Sequence, residues 1–363
     1  MKLVYFVLCI LFCASGVHSQ TLSGYVYDEE ENLPLQGAFV YLDGTTLSAS
    51  TDSLGYFKII TKQKFNTDLI VRYIGYSTFK VTNPYQYTAP VKILMRQNAL
   101  ELKEVVINGK GPFTRKQMLK AFRESFLGKT RAGKSCEIIN EEDIELYYDS
   151  KTFTLHASSL KPLQIKNQYL KYNIMFDLDE CTIQYRRKTL DEVYQKGMYF
   201  VGTTSFTDVS ENTSVDKHRR KTYYGSTQHL MKTIASNDWK EQKFALYVNG
   251  APASPHNYLK VTDTLGLKKV EMQFKSENIK PLNVRLSGIS EEQMQKIQEE
   301  SQKKRDNLRF DILYDDKDQS YFKYNTGTFY IDSNGQYFPI SELQFGGYMG
   351  DLKAGDMLPA DYR

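Results

Sequence analysis

Thr51-Asp52-Ser53-Leu54-Gly55-Tyr56-Phe57-Lys58-Ile59-Ile60 holds a turn and the strand that leaves it. Asp52 can accept hydrogen bonds from the backbone of its own turn, and Gly55 can take the positive φ that a side chain resists. From Tyr56 to Ile60 the side chains alternate, which is the period of a half-buried strand. Working outward, the same unit of strand and turn recurs. Gly24 to Asp28 is a strand closed by the acidic turn Glu29 to Asn32, and Leu35 to Leu42 is a second, ended by Asp43-Gly44-Thr45. Leu69 to Tyr73 and Phe79 to Val81 flank Ile74-Gly75-Tyr76, and Val91 to Met95 closes the set. Short strands with turn signals every ~8–12 residues predict a seven-stranded β-sandwich over residues 20–97.

The residues in those turns and strands carry a resemblance. Gly24-x-Val26-x-Asp28, Pro34-Leu35-x-Gly37-Ala38-x-Val40, Gly44-Thr45, Thr51-Asp52-x-x-Gly55-x-Phe57 and Tyr73-Ile74-Gly75-Tyr76 stand in order. Together they resemble the carboxypeptidase regulatory-like domain, which implies a transthyretin-like sandwich. Gln36 departs from the family, which often has a second Pro or a similar turn residue there. The resemblance also implies a setting, because in Bacteroidota this domain is common at the front of outer-membrane nutrient receptors and surface proteins. It does not imply a peptidase. A zinc peptidase needs closely spaced His and Glu ligands. None of His156, His218, His229 and His256 begins a His-x-x-Glu, and no His-Glu-x-x-His exists. Gly-x-Ser-x-Gly is absent, and Gly109-Lys110-Gly111 lacks the spacing of a phosphate loop. The expectation is a non-enzyme without catalytic residues, metal or cofactor. The alternative is an uncharacterised hydrolase acting on a glycan or peptide.

At 363 residues the chain has length for two domains. With 41% hydrophobic and 25% charged residues, each can bury a core. The net charge of +4, from 47 basic and 43 acidic residues, is too balanced for a nucleic-acid binder. A content of 27 Tyr and 20 Phe leans toward β-structure. Lys2 and the apolar run Leu3 to Ala14, followed by Val17-His18-Ser19, predict a signal peptide over residues 1–19. A retained anchor, or a lipid on Cys9 or Cys13, are the alternatives. Phe12 stands before Cys13, where lipid attachment needs a small residue. The expected location is exported, either periplasmic or at the outer membrane or cell surface, with no transmembrane segment in the mature chain. Export permits a disulfide between Cys136 and Cys181. The other reading is two small buried thiols.

Residues 98–112 form a linker. Leu100-Glu101-Leu102-Lys103-Glu104-Val105-Val106-Ile107-Asn108-Gly109 resembles the stretch that follows the same domain in TonB-dependent receptors, near their TonB box. Glu104, Val105, Val106 and Ile107 are therefore either a partner-contact strand or the first strand of the next domain. The residues that remain are too few for a 22-stranded receptor barrel.

Residues 113–363 predict an α+β domain with a largely antiparallel sheet. Thr114 and Gln117 fit a capping box for a helix to Leu127, ended by Gly128. Ile144–Tyr148 and Thr152–Ala157 predict a hairpin around Asp149-Ser150-Lys151, and Leu163–Ile165 and Tyr172–Leu178 continue the sheet. Tyr223–Ile234 predicts one short helix, and Ser290–Arg309 a polar surface helix. Asp315 and Asp316 read either as an acidic turn or as half a calcium loop. Asn334-Gly335 predicts a tight hairpin. The basic run Lys217-His218-Arg219-Arg220-Lys221 is either a solvated face or a contact for anionic lipid headgroups or an acidic glycan.

Phe126-Leu127-Gly128, Cys136-x-Ile138-x-Asn140, Leu146-x-Tyr148, Pro162-Leu163-x-Ile165-x-Asn167 and Leu170-x-Tyr172 resemble a set of Bacteroidota envelope proteins with this domain pair. That resemblance implies architecture and no catalytic residue. The expected role is binding or scaffolding of a glycan, peptide or protein partner in the envelope, with a TonB-dependent receptor among the partners. Tyr suits such surfaces because it offers a flat face with a polar tip.

Overall fold

The computed structural model describes residues 20–98, 111–273 and 308–362. The chain divides into two units, residues 1–106 and 107–363.

The first unit holds seven strands: β1 (Gln20–Asp28), β2 (Phe39–Leu42), β3 (Ser48–Ser50), β4 (Tyr56–Thr61), β5 (Leu69–Arg72), β6 (Phe79–Val81) and β7 (Val91–Met95). They form two sheets, ordered β4-β1-β7 and β3-β2-β5-β6. Leu22 and Val26 of β1 and Phe57 and Ile59 of β4 alternate inward, and Val40, Ile70 and Val71 are buried on the other sheet. This is the seven-stranded sandwich that the turn pattern predicts. Asp52 Oδ1 accepts from the backbone of Leu54 and Tyr56, both at 2.9 Å. Gly55 has φ 74°, and a Cβ there would stand 2.5 Å from the Val26 carbonyl, so only glycine fits.

Asp28, buried at the end of β1, ties the loops together. Oδ1 accepts from the Glu30 and Glu31 amides at 2.7 Å each, and Oδ2 accepts from the Tyr76 hydroxyl at 2.6 Å and from Gln97 at 3.1 Å. These donors, the Glu31 amide first and the Tyr76 hydroxyl next, hold its pKa down at about 2. The Tyr73-Ile74-Gly75-Tyr76 motif is thus fastened to the first strand by its last residue.

In the second unit, helix α1 (Arg115–Leu127) starts at the expected capping box and stops at Gly128. Its buried face, with Phe122 and Phe126 stacked at 5.0 Å, covers one side of a six-stranded antiparallel sheet. The strands are β8 (Cys136–Ile138), β9 (Ile144–Asp149), β10 (Thr154–Ser159), β11 (Leu163–Asn167), β12 (Tyr172–Tyr185) and β13 (Gln195–Asp208). β12 is long enough to pair with β11 along its first half and β10 along its second. β13 runs beside its whole length on the other side. The sequence reading stopped this strand at Leu178. It continues through irregularities at Leu178/Glu180 and Gln184/Tyr185.

Two helices follow, α2 (Asp216–Tyr223) and α3 (Thr227–Ser236). The single helix expected over Tyr223–Ile234 is therefore a correction. Gly225, at φ 81°, breaks it, and a Cβ there would meet the Tyr314 ring at 2.8 Å. The remaining strands are β14 (Phe244–Val248), β15 (Ala251–Ala253), β16 (Leu259–Thr264), β17 (Leu267–Met272), β18 (Phe310–Tyr314), β19 (Asp318–Tyr324), β20 (Thr328–Ile331), β21 (Tyr337–Phe338) and β22 (Leu343–Gly347). They make the sheets β15-β14-β18-β19-β22 and β16-β17-β20-β21 over a second core centred on Phe310, Phe322 and Phe329. Asp315 and Asp316, at φ 47° and 53°, turn the chain from β18 to β19, so the acidic-turn reading describes their backbone. The helix expected over Ser290–Arg309 lies outside the described residues, except for Leu308 and Arg309.

After β22 the chain returns to the six-stranded sheet of the same unit. Ala354 joins that sheet's core, Asn167 donates to the Gly355 carbonyl at 2.9 Å, and Thr130 donates to Asp356 at 2.6 Å. A Cβ on Gly355 would lie 2.5 Å from the Leu127 carbonyl, so the tail sits directly on the end of α1. Burial pushes the Asp356 carboxyl up and the Lys353 amine down.

Candidate functional site

The face of the six-stranded sheet that α1 does not cover is built by strand alternation. In β9, Ile144, Leu146 and Tyr148 point into the core, so Tyr147 points out. In β10, Leu155 and Ala157 point in and His156 out. Register then sets a row across four strands: Tyr147 lies opposite His156, His156 opposite Thr182 of β12, and Thr182 opposite Tyr199 of β13. Tyr147 and Tyr199 are 50% and 49% exposed. The Tyr147 and His156 rings are 6.1 Å apart and tilted by 31°. Three strand spacings make the row about 14 Å long.

Polar groups border the row on both sides. Gln184 lies opposite Gly197 on one side, and nothing would stand within 4 Å of a Cβ at Gly197, so a notch opens beside Tyr199. On the other side, Ser158 lies opposite Glu145, 3.4 Å from its carboxylate, and Glu180 lies opposite the exposed Val201. The result is an exposed row of aromatic rings bordered by a hydroxyl, an amide and two carboxylates. It can stack on a planar apolar surface and hydrogen-bond its rim.

The basic run Lys217–Lys221 is divided by α2. Arg219 is only 5% exposed. Its guanidinium donates to both Asp208 oxygens at 2.7 and 2.8 Å, to the Leu170 carbonyl at 2.9 Å, and lies 3.9 Å from the Tyr172 ring centre. The Arg219 bonds hold the Asp208 carboxyl far below the usual carboxylate range. His218 stacks on Tyr169 at 4.0 Å. Lys217, Arg220 and Lys221 remain exposed at helical spacings of three and four, which places them on one solvent face. Arg219 is thus a correction to the patch, because its buried guanidinium is committed to Asp208 and to backbone carbonyls.

Cys136 and Cys181 are free thiols, which corrects the disulfide reading. Cys136 lies opposite Asn167, which lies opposite Tyr172, and Cys181 is nine positions further along β12. Nine strand positions are about 30 Å, far beyond the Cα separation of about 4.4–6.8 Å that a disulfide spans. Burial pushes each thiol pKa up to about 12, so neither is a nucleophile. Glu104, Val105, Val106 and Ile107 lie outside the described residues.

His229 is a structural histidine. Nδ1 accepts from the Gly225 amide at 3.1 Å and Nε2 lies 2.9 Å from Gln242 Oε1, which fixes a neutral ring, and burial pushes its pKa down. Among the described residues no group of three or more His, Cys, Asp or Glu is placed to hold a metal ion. No described helix is long and apolar enough to cross a membrane.

Sequence reasoning missed the Tyr147–Tyr199 row. Alternation in the β9–β10 hairpin was enough to turn Tyr147 and His156 outward, but Tyr199 lies on a strand whose glycines hide it.

Residues 22–107 match the family model of the CarboxypepD_reg-like domain. The curated TonB-dependent receptor P26 of Formosa agariphila is 37% identical over 101 residues, which is 28% of this chain. The aligned stretch covers 10% of that receptor's own length. A solved chain from a cohesin–X-dockerin complex of Acetivibrio cellulolyticus aligns over 31% of this chain and 79% of its own, at 24% identity. Its TM-score is 0.20, so it carries no argument.

Proposed function

We propose that this protein is an exported, non-catalytic binding component of the cell envelope. It holds a glycan on the Tyr147–His156–Thr182–Tyr199 row and works beside TonB-dependent nutrient uptake. The row is the observation that carries the reading: two half-exposed tyrosines, spaced across four strands on one face, offer the stacking that sugar rings accept. The chain's partial similarity to a TonB-dependent receptor, and the signal-like residues 1–19, support the setting.

The test is a glycan array with residues 20–363, followed by calorimetry on the ligands retained. Tyr147→Ala and Tyr199→Ala should each weaken binding about fivefold, since an aromatic contact is worth about 1 kcal/mol. Binding that neither substitution changes would overturn the row as the site.

A hydrolase is the second reading. It is favoured by Glu145 and Glu180, two carboxylates on the same open face. Shortened glycans that accumulate with the parent protein, and disappear with Glu145→Gln or Glu180→Gln, would replace the binding role with that activity.

A further inference from the structure

The outer edge of β13 has a feature that the glycan reading does not use. Its ladder to β12 is regular from Gly197 to Val201 and is bounded at both ends. One irregularity falls between Gln184 and Tyr185, where Lys196 is skipped, and the other between Leu178 and Glu180, beside Gly202. Among the described residues no strand pairs with the other side of β13. The stretch Gly197-Met198-Tyr199-Phe200-Val201 contains no charge and no proline. Proteins that keep such an edge single usually block it with one or the other. Beyond Gly202, Thr203 to Phe206 are buried, so the accessible stretch ends there.

We infer that a second copy of this chain docks antiparallel on this edge, about a two-fold axis through Tyr199. The bounded stretch sets the register, because its middle residue is Tyr199. In that register Gly197 lies opposite the second copy's Val201, and Met198 opposite its Phe200. The two Tyr199 side chains face each other across the axis. Lys196 falls opposite Gly202, so no like charges meet. Small meets branched on the open side. On the other side Met198 and Phe200, which already pack on the α1 core, continue that apolar layer. A strand of this composition is complementary to itself, as a two-fold contact requires. The pairing joins the two aromatic rows end to end across eight strands, Tyr199 beside Tyr199, and doubles the platform. The doubled platform rests on the glycan reading. The docking does not.

Sedimentation equilibrium of residues 20–363 without glycan should give twice the chain mass. Tyr199→Lys and Tyr199→Glu should each give a monomer with an unchanged far-ultraviolet circular dichroism spectrum, because each sets like charges against each other at the axis. An equal mixture of the two should recover the dimer, because lysine then meets glutamate. Tyr199→Cys should form an intermolecular disulfide on mild oxidation, because directly opposed Cβ atoms are about 5 Å apart. A wild-type monomer at its highest soluble concentration, a dimer that survives both charged variants, or a mixture that stays monomeric overturns the inference. A monomer that still binds glycan through Tyr147 sinks the docking and spares the binding role. A dimer that binds no glycan does the reverse.

Discussion

In the N-terminal sandwich, a polar aromatic is fastened: Tyr76 gives its hydroxyl to Asp28, which also takes three other donors. On the open face of the six-stranded sheet, Tyr147 and Tyr199 are half exposed, and among the described residues no group holds either hydroxyl. Both regions are β-sheet with an apolar interior, and both contain tyrosine in quantity. They differ in what the polar atoms are for. In the sandwich they close loops, and removing one would leave buried partners unsatisfied. On the sheet they border an exposed surface, where no buried partner depends on them.

The largest test concerns what the two regions share. Phe126→Ala under the sheet and Phe57→Ala inside the sandwich each remove a fully buried ring and should each cost about 3–5 kcal/mol. Hydrogen exchange by mass spectrometry on the whole chain should show the loss confined to the unit that carries the substitution. Spread into both units would break the division.

Next in size is Arg219→Ala, at about 2–3 kcal/mol. It strands the Leu170 carbonyl and an Asp208 carboxylate that water partly solvates. Arg220→Ala, one residue on and exposed, should stay within about 0.5 kcal/mol in the same urea titration.

Acid separates the regions by pH. His229 has a depressed pKa in the folded state, so the unfolded chain takes up a proton first as pH falls. Its share of stability is present above pH 6.5 and lost below it, in the second unit. Asp28 is also depressed, from 3.8 to about 2, so its share is present above pH 4 and lost between about pH 4 and 2, in the first. Exchange protection measured from pH 7 to 3 should therefore fall in the second unit before the first. The reverse order would break the comparison. Tyr147→Ala should also cost little, with a change below about 0.5 kcal/mol in urea stability. A larger loss would make Tyr147 a fastened residue like Tyr76.

The sandwich is legible because its turns are written in residues with one mechanism each, Asp52 and Gly55 being the clearest. Helix α1 is legible for the same reason, through Thr114 and Gln117. β12 and β13 are not. The expected strand stops at Leu178 because Asp179 and Glu180 follow it, and a bulge there carries these charges in mid-strand. β13, which carries Gly197 and Gly202, has no counterpart among the strands the sequence predicts. The basic run shows the same limit from another side. Density of charge says nothing about which cation turns inward, and Arg219 does so because it shares the buried stripe of Val215 and Thr222. The aromatic row needs cross-strand register, which local sequence does not fix.

The return of the tail to the six-stranded sheet has a consequence for the order of assembly. Asn167 meets Gly355 across 188 residues, and Thr130 meets Asp356 across 226. A chain emerging from its N-terminus makes α1 and all six strands long before it makes the segment that seats them. Until residues 353–356 arrive, the end of α1 and the Asn167 amide are without their closing partners. Until then the sheet is open to wrong pairings, because contacts this far apart in sequence form late.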